Sequence, residues 1–457
     1  MIVVVGAGPA GLLAAWHAAR AGHEVTVLER AGSVGGLAAS FEVAGQRVDL
    51  GSHRLHPSIE PGLLAELDAL LGDDLQVRPR HGRIAMAGRL LGFPLRTTDL
   101  LRHLPPALAA RMALDAAVAP LRRPRADTYA EVVRAGLGPS VYRSFYGPYA
   151  RKLWGVDGAE LSGEVARRRI AASSPTAIAR KLLRATDPAK RTFLYPRRGF
   201  GQISEALADA ATAAGAVVQL GAEVAGIDVG PGGPSVLLGE GGRLAATQVW
   251  TSAPLPVLAR FVAGAPPEVV AAADDLQHRA MVLLYLVLDQ PAWTEFDAHY
   301  LPDESVMATR ISEPKRYRTS AEDPADRTVL CAEIPCAVDD AVWTAPPDAL
   351  AARLVDELAS LGLPPVRPVV AEVRRVPRLY PVYRPGYERA LATVEAWVDS
   401  LRGIVTFGRQ GLFVADNAHH VLAMGRDLAA ALRPDGTFDQ QAWAAAGASF
   451  RHFVVED

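Results

Sequence analysis

Residues 2–30 read IVVVGAGPAGLLAAWHAARAGHEVTVLER, and this stretch decides the fold. The β-branched run Ile2–Val5 has the composition of a strand buried on both faces of a parallel sheet. Gly6, Gly8 and Gly11 follow in the spacing G-x-G-x-x-G and open an alanine-rich helical segment. Gly6 permits a tight turn, Gly8 lets a pyrophosphate approach the backbone, and Gly11 lets the helix lie close to the sheet. The helix N-terminus offers free N–H groups and a positive dipole end to a phosphate. A second strand over 24–28 ends at Glu29, placed to accept hydrogen bonds from a ribose 2′-OH. Strand, glycine turn, helix, strand and acid stand in the order a dinucleotide site requires. The carboxylate argues against a 2′-phosphate, and so against NADP at this position.

Around that unit the chain has 457 residues, enough for two or three domains and a substantial core. A net charge of -2 carries no basic excess, which argues against a nucleic-acid partner. Cys331 and Cys336 read as two buried thiols of a reducing compartment rather than a disulfide. The N-terminus enters a strand with no basic leader or cleavage site, which predicts a cytoplasmic protein. Abundant alanine and arginine with little lysine point to a bacterial source. No apolar run reaches the ~18 residues of a membrane span. LPPALAARMALDAAVAPL (104–121) comes nearest but carries Arg111 and Asp115. It reads as an amphipathic helix packed on the protein, with a membrane-surface patch as the alternative.

Beyond Glu29 the chain continues RAGSVGGLAASFEVAGQRVDLGSHRLHP (30–57). This resembles the flavoprotein superfamily that contains amine oxidases, protoporphyrinogen oxidases, phytoene desaturases and UDP-galactopyranose mutases. The resemblance implies FAD, with Arg30 beside the acid and a loop ending in Gly35 and Gly36 along the cofactor. Residues 193–229 are similar to the superfamily's strand, glycine turn, helix and strand, where Val224 offers backbone contacts to the adenine. QVWTSAPLPVLARF (248–261) resembles the strand and turn that leave the cofactor domain, and 407–432 the glycine turn and closing helix. The implied fold class is α/β, a discontinuous Rossmann-like FAD-binding domain with two inserts. The cofactor parts are 1–79, 193–254 and 395–457. A mainly helical insert spans 80–192, and an antiparallel-sheet substrate domain spans 255–394. Period-two alternation in MVLLYLVLD, RTVLCAEIPC and PVVAEVRRV supports that sheet.

Within the superfamily, four stretches are most similar to the UDP-galactopyranose mutases. LGSHRLHP (50–57) matches a loop whose histidine reaches the flavin, which gives Gly51 to the cofactor and a catalytic place to His53. FYGPYARKLWGVDGAELS (145–162) matches a substrate-cleft segment through Tyr149, Lys152, Trp154 and Gly155. VMATRISEPKRY (306–317) puts Arg310 on substrate diphosphate, as a binding and catalytic residue. RLYPVYRPGYE (378–388) brings Tyr380 and Tyr383 toward substrate. In the final segment Gly408 and Arg409 are expected near phosphate, with Asn417, Ala418 and His419 toward the isoalloxazine. The dipole of that helix would stabilise negative charge at N1–C2=O of reduced flavin. Two positions depart from the mutases. Their substrate tyrosine falls on Ala415, and an aspartate near the flavin becomes Asn417. Arg180 and Arg184 are the candidates for a second diphosphate arginine.

Each of these residues has a plainer reading. Arg310 would pair with Glu313 or Glu304 as an exposed ion pair, and Trp154 and Tyr149 would be helix core. The run ARRRIA (166–171) reads as a solvated helix face. His419 and His420 are adjacent, so they point to different sides of a helix and do not form a metal pair. Asp416 or Asn417 would cap that helix. The function implied is an FAD-dependent flavoenzyme acting through flavin N5 on a nucleotide-activated sugar or related small molecule, with NAD(P)H as external reductant. The alternative is net oxidation, with hydride taken from a small organic substrate as in amine oxidases, protoporphyrinogen oxidases or desaturases. A non-catalytic flavin scaffold is the third reading. No G-x-S-x-G and no Cys-His pair supplies a protein nucleophile.

Overall fold

The computed structural model describes residues 1–86, 88–93, 104–169 and 191–455. Arg180, Arg184 and the end of the run 166–171 lie outside them.

The first strand, Ile2–Val5, pairs in parallel with Val25–Glu29 on one side and Gln248–Thr251 on the other. Ile404–Thr406 and Val217–Leu220 complete a five-stranded parallel sheet as its edges. The helix Pro9–Arg20 packs against this sheet between the helices Gln202–Ala213 and Ala418–Ala430. It is nearly all small apolar residues, which lets it be buried along most of its length. A methyl group on Gly425 would overlap the carbonyl oxygen of Ala10, so glycine sets how closely the first and closing helices approach.

A seven-stranded sheet forms the second layer, in the order Val370–Pro381, His278–Leu288, Thr328–Cys336, Arg310–Ser312, Ala298–Tyr300, Gly82–Met86, Arg89–Phe93. Its second strand, His278–Leu288, is apolar from Ala280 to Leu288 because both of its faces are covered. Ala280, Val282, Leu284 and Leu286 face the helix Pro347–Ser360 through Leu350, Leu354 and Leu358. Met281, Leu283, Tyr285 and Val287 face Val43 and Val48 of the hairpin formed by Ser40–Val43 and Gln46–Asp49. Each such buried side chain contributes about 1.5–3 kcal/mol. The period-two pattern sorts residues between two cores rather than between core and water. Cys331 and Cys336 are buried free thiols on the neighbouring strand.

A helical group that includes Tyr129–Leu137, Gly147–Trp154 and Gly163–Arg169 shares an apolar cluster with Val3 and Leu28 of the parallel sheet. Lys152 anchors it to the sheet layer, donating to the carbonyls of Leu301, Asp303 and Ala308. One expectation needs correction here. The described part of the run 166–171, residues 166–169, is not a solvated face. Val165 and Ala166 are buried, Arg168 donates to the Phe450 carbonyl at 3.2 Å, and only Arg167 turns outward, to Asp127. The helix Pro106–Val118 packs on the protein through the half-buried Leu108, Ala109 and Met112, while its one fully buried residue is Asp115.

Candidate active site

The glycine turn forms a concave strip of backbone. Gly6, at φ 108°, turns the chain out of the first strand, and its amide donates to the Leu28 carbonyl at 2.8 Å. A methyl group on Gly11 would overlap the Gly6 carbonyl, and one on Gly36 would lie 3.6 Å from Gly8 Cα. Gly35, at φ 114°, donates to the Ala7 carbonyl at 2.8 Å, which draws the second glycine pair against the first turn. The N-terminus of the helix Pro9–Arg20 has no side-chain cap and no acid in its first turn. It therefore keeps the N–H groups and positive end that attract phosphate. Glu29 is buried at the end of its strand, its carboxylate accepting from the amides of Ala7 and Ala31, both at 2.9 Å. Arg30 beside it is exposed. Val224 is buried, and Gly408, at φ 74°, approaches Ala10 and Ser252.

Further along the cleft, Gly51 at φ 98° leads into Ser52 and His53. The Ser52 amide donates to Glu333 Oε1 at 2.8 Å, and its hydroxyl lies 2.6 Å from that of Tyr317. Arg310 Nη2 donates to Glu333 Oε1 and Oε2 at 2.7 and 2.8 Å and reaches the Ser52 carbonyl at 3.3 Å. Neither partner named from sequence takes it. Glu304 pairs with Arg151 at 2.7 Å, and Glu313 is buried against Thr328 and Trp293. His53 stacks on Phe200 with ring centroids 5.2 Å apart, and its Nδ1 is buried with no hydrogen-bond partner among the described residues. Burial lowers its pKa, outweighing the nearby carboxylates of Asp49 and Glu333, so the imidazole is neutral at pH 7.

The third cluster closes the cleft. Arg169 and Arg409 lie 5.0 and 5.1 Å from the ring centroid of Tyr380, and Arg169 also lies 5.3 Å from that of Trp154. Arg409 is half-buried, donates to the Leu379 carbonyl at 3.1 Å, and leaves its buried Nε without a partner among the described residues. A small cavity beside them is lined by Trp154, Arg168, Arg169, Tyr383, Ala415 and Asp416, among others. Asp416 is 3% exposed, and neither carboxylate oxygen has a hydrogen-bond partner among the described residues. Burial raises its pKa to about 6 in spite of Arg168, Arg409 and Arg169.

Asn417, not Asp416, takes the N-cap position of the helix Ala418–Ala430. His419 and His420 are buried, with ring centroids 4.0 Å apart. His420 stacks on Phe453, and His419 Nε2 lies 3.3 Å from Ser58 Oγ. Trp154 and Tyr383 are buried, with the Tyr383 hydroxyl donating to the Phe413 carbonyl at 2.9 Å. Tyr149 is half-buried and stacks on Phe145. The reading of residue types missed Glu333, Arg169 and Asp416, since none belongs to a spaced motif.

A family model described as flavin containing amine oxidoreductase matches residues 9–430. The chain belongs to that family. It is therefore an FAD-dependent enzyme, and its concave glycine strip suits a dinucleotide. Among solved structures it is similar to reduced UDP-galactopyranose mutase, with TM-score 0.81, 20% identity and 99% of each chain covered. It is also similar to cyclohexylamine oxidase from Brevibacterium oxydans IH-35A, with TM-score 0.68 and 18% identity over 94% of this chain and 98% of that one. At such identities the likeness is one of fold. A phytoene dehydrogenase from Streptomyces griseus is 42% identical over 88 residues, 19% of this chain. The chain spans only 17% of that curated relative's length in the match. No helix among the described residues is long and apolar enough to cross a membrane. None of their His, Cys, Asp and Glu side chains form a group of three that could hold a metal.

Proposed function

We propose that this flavoenzyme acts on an anionic small molecule, a nucleotide-activated sugar or a related phosphorylated compound, with no net change in redox state. The observation that carries the reading is the pair Arg169 and Arg409 sharing the ring of Tyr380. The two guanidiniums repel one another, and the one carboxylate lining the cavity beside them, Asp416, forms no hydrogen bond to either. A phosphate or diphosphate would relieve both the repulsion and the unmade hydrogen bonds. Arg310 is a weaker candidate, since Glu333 already takes its bidentate face.

In this reading Gly6, Gly8, Gly11, Gly35 and Gly36 hold the FAD pyrophosphate side, and Glu29 the ribose, with Arg30 and Val224 flanking the adenosine end. Gly51, Gly408 and the turn Asn417, Ala418, His419 border the flavin ring. Residues 1–79, 193–254 and 395–457 then form the cofactor domain, and 80–192 with 255–394 the substrate side. When bound, FAD supplies an N5 that either forms a bond to carbon or accepts hydride. The chain's own residues do the rest. Arg169 and Arg409 fix the anionic group, and Tyr380, Tyr383, Trp154 and Tyr149 wall the cleft and exclude water. His53 stays neutral, held in place by Phe200, and Asp416 holds or releases a proton at its carboxylate near neutral pH.

Net oxidation is the second reading, and one observation favours it. Ala415 and Asp416 give the cavity a small residue and a carboxylate, which suits a basic organic substrate. Anaerobic flavin spectroscopy against nucleotide sugars and amines separates the two. Turnover of a nucleotide sugar only after dithionite or NAD(P)H reduction supports the redox-neutral reading. Bleaching of the oxidised flavin by an amine, followed by peroxide formation in air, overturns it.

A further inference from the structure

The helix Pro106–Val118 is apolar on two sides, one packed inward and one exposed. Its buried residue is Asp115, whose carboxylate accepts from the Ser140 amide at 2.8 Å and from Arg122 at 2.7 Å. Leu108 and Met112 pack against the small cluster around Ile84 and Leu91. On the other side Ala110, Leu114, Ala117 and Val118 are exposed, and Leu121 follows just past the helix end. Leu114 is 67% exposed, and Leu121 is 83% exposed. At the helical repeat these positions form one continuous arc. Single exposed apolar residues need no explanation, but an unbroken apolar arc does.

Charge around the arc is one-sided. Residues 104–125 carry four arginines and one aspartate, and that aspartate is the buried, paired Asp115. Arg111 on the helix and Arg123 and Arg125 beyond it are exposed. A second copy of the chain packed antiparallel along the arc would bring each basic end against the partner helix's positive N-terminus. A parallel pair would set the two basic ends side by side. An anionic surface removes both conflicts.

We propose that this helix docks on an anionic lipid surface, its alanine–leucine arc at the acyl boundary and Arg111, Arg123 and Arg125 at the headgroup phosphates. The test is co-sedimentation of the FAD-loaded full chain with vesicles of phosphatidylglycerol and phosphatidylcholine, or of phosphatidylcholine alone. The holoenzyme should sediment with the anionic vesicles, and binding should fall about fivefold for each of Arg123→Gln and Arg125→Gln. Leu114→Glu with Leu121→Glu should abolish it, with flavin content unchanged because both side chains are exposed and lie outside the cavity. Three results overturn the proposal. They are no sedimentation with anionic vesicles, binding undiminished in the double Glu variant, or a dimer in solution that the double variant dissociates.

Discussion

Arg310 and Glu333 are cross-strand partners in the antiparallel pair Arg310–Ser312 and Thr328–Cys336, and the arginine clasps both oxygens of the carboxylate. Both side chains are largely buried. Removing one partner strands the other's charge, a loss of about 3–5 kcal/mol, whereas removing both costs far less. Glu333→Leu should therefore lower the urea midpoint sharply, and Arg310→Met with Glu333→Leu should restore most of it. A double-variant loss equal to the sum of the Glu333→Leu and Arg310→Met losses would mean the pair is not coupled.

Asp416 makes stability depend on pH in an unusual direction for an acid. Burial raises the folded pKa to about 6, while an unfolded aspartate titrates near 4. The folded chain thus binds the extra proton between these values. Its stability contribution is complete at the acid end and lost as pH rises through about 6. Asp416→Asn should stabilise the protein by up to about 3 kcal/mol at pH 8 relative to its effect near pH 4. Urea titrations at the two pH values measure this, and a gain of the same size at both would remove the buried charge as its cause.

Arg169 and Arg409 should bind UDP or pyrophosphate together beside the Tyr380 ring. Charge-assisted hydrogen bonds contribute about 1.5–3 kcal/mol each. Arg169→Met should weaken UDP binding about tenfold or more, read by the fluorescence of the neighbouring Trp154, with flavin content unchanged. Unaltered UDP affinity in that variant would move the anion site elsewhere.

Gly425→Ala tests the contact between the first and closing helices. The added methyl has to push the helix Ala418–Ala430 off the Ala10 carbonyl. A cost of about 1–3 kcal/mol is expected. FAD retained per chain after gel filtration should fall along with the thermal midpoint.

The cofactor half of the molecule was legible because its signals are local. Gly6 to Glu29 is one contiguous unit whose turn, helix and acid each require a particular residue type. Period two likewise announced the strand around Leu283, although which of two cores each residue faces depends on elements far along the chain. Glu333 was not legible. In RTVLCAEIPC it reads as an ordinary outward-facing polar position, and only the register against Arg310 makes it a buried partner. Arg169 failed for a related reason. A helical run of three arginines suggests water on the outside, but here Trp154 and Tyr380 take that place. Asp416 belongs to no motif, and its meaning comes from its enclosure.

The parallel sheet draws its strands from distant parts of the chain. Ile2 pairs with Gln248, and Val249 pairs with Ile404. Val25–Glu29 follows at once on one side, but at ordinary ribosomal rates the first strand emerges on the order of tens of seconds before its other neighbour, Gln248–Thr251. Until then one edge of Ile2–Val5 is unpaired and apolar, of the kind that seeks other chains. The wall carrying Arg409 and Asp416 comes later still, so the enzyme cannot form its pocket progressively as it is made. Yield of active protein in a cell should thus be set by how well the early strands are shielded during synthesis, and slowed translation should lower it.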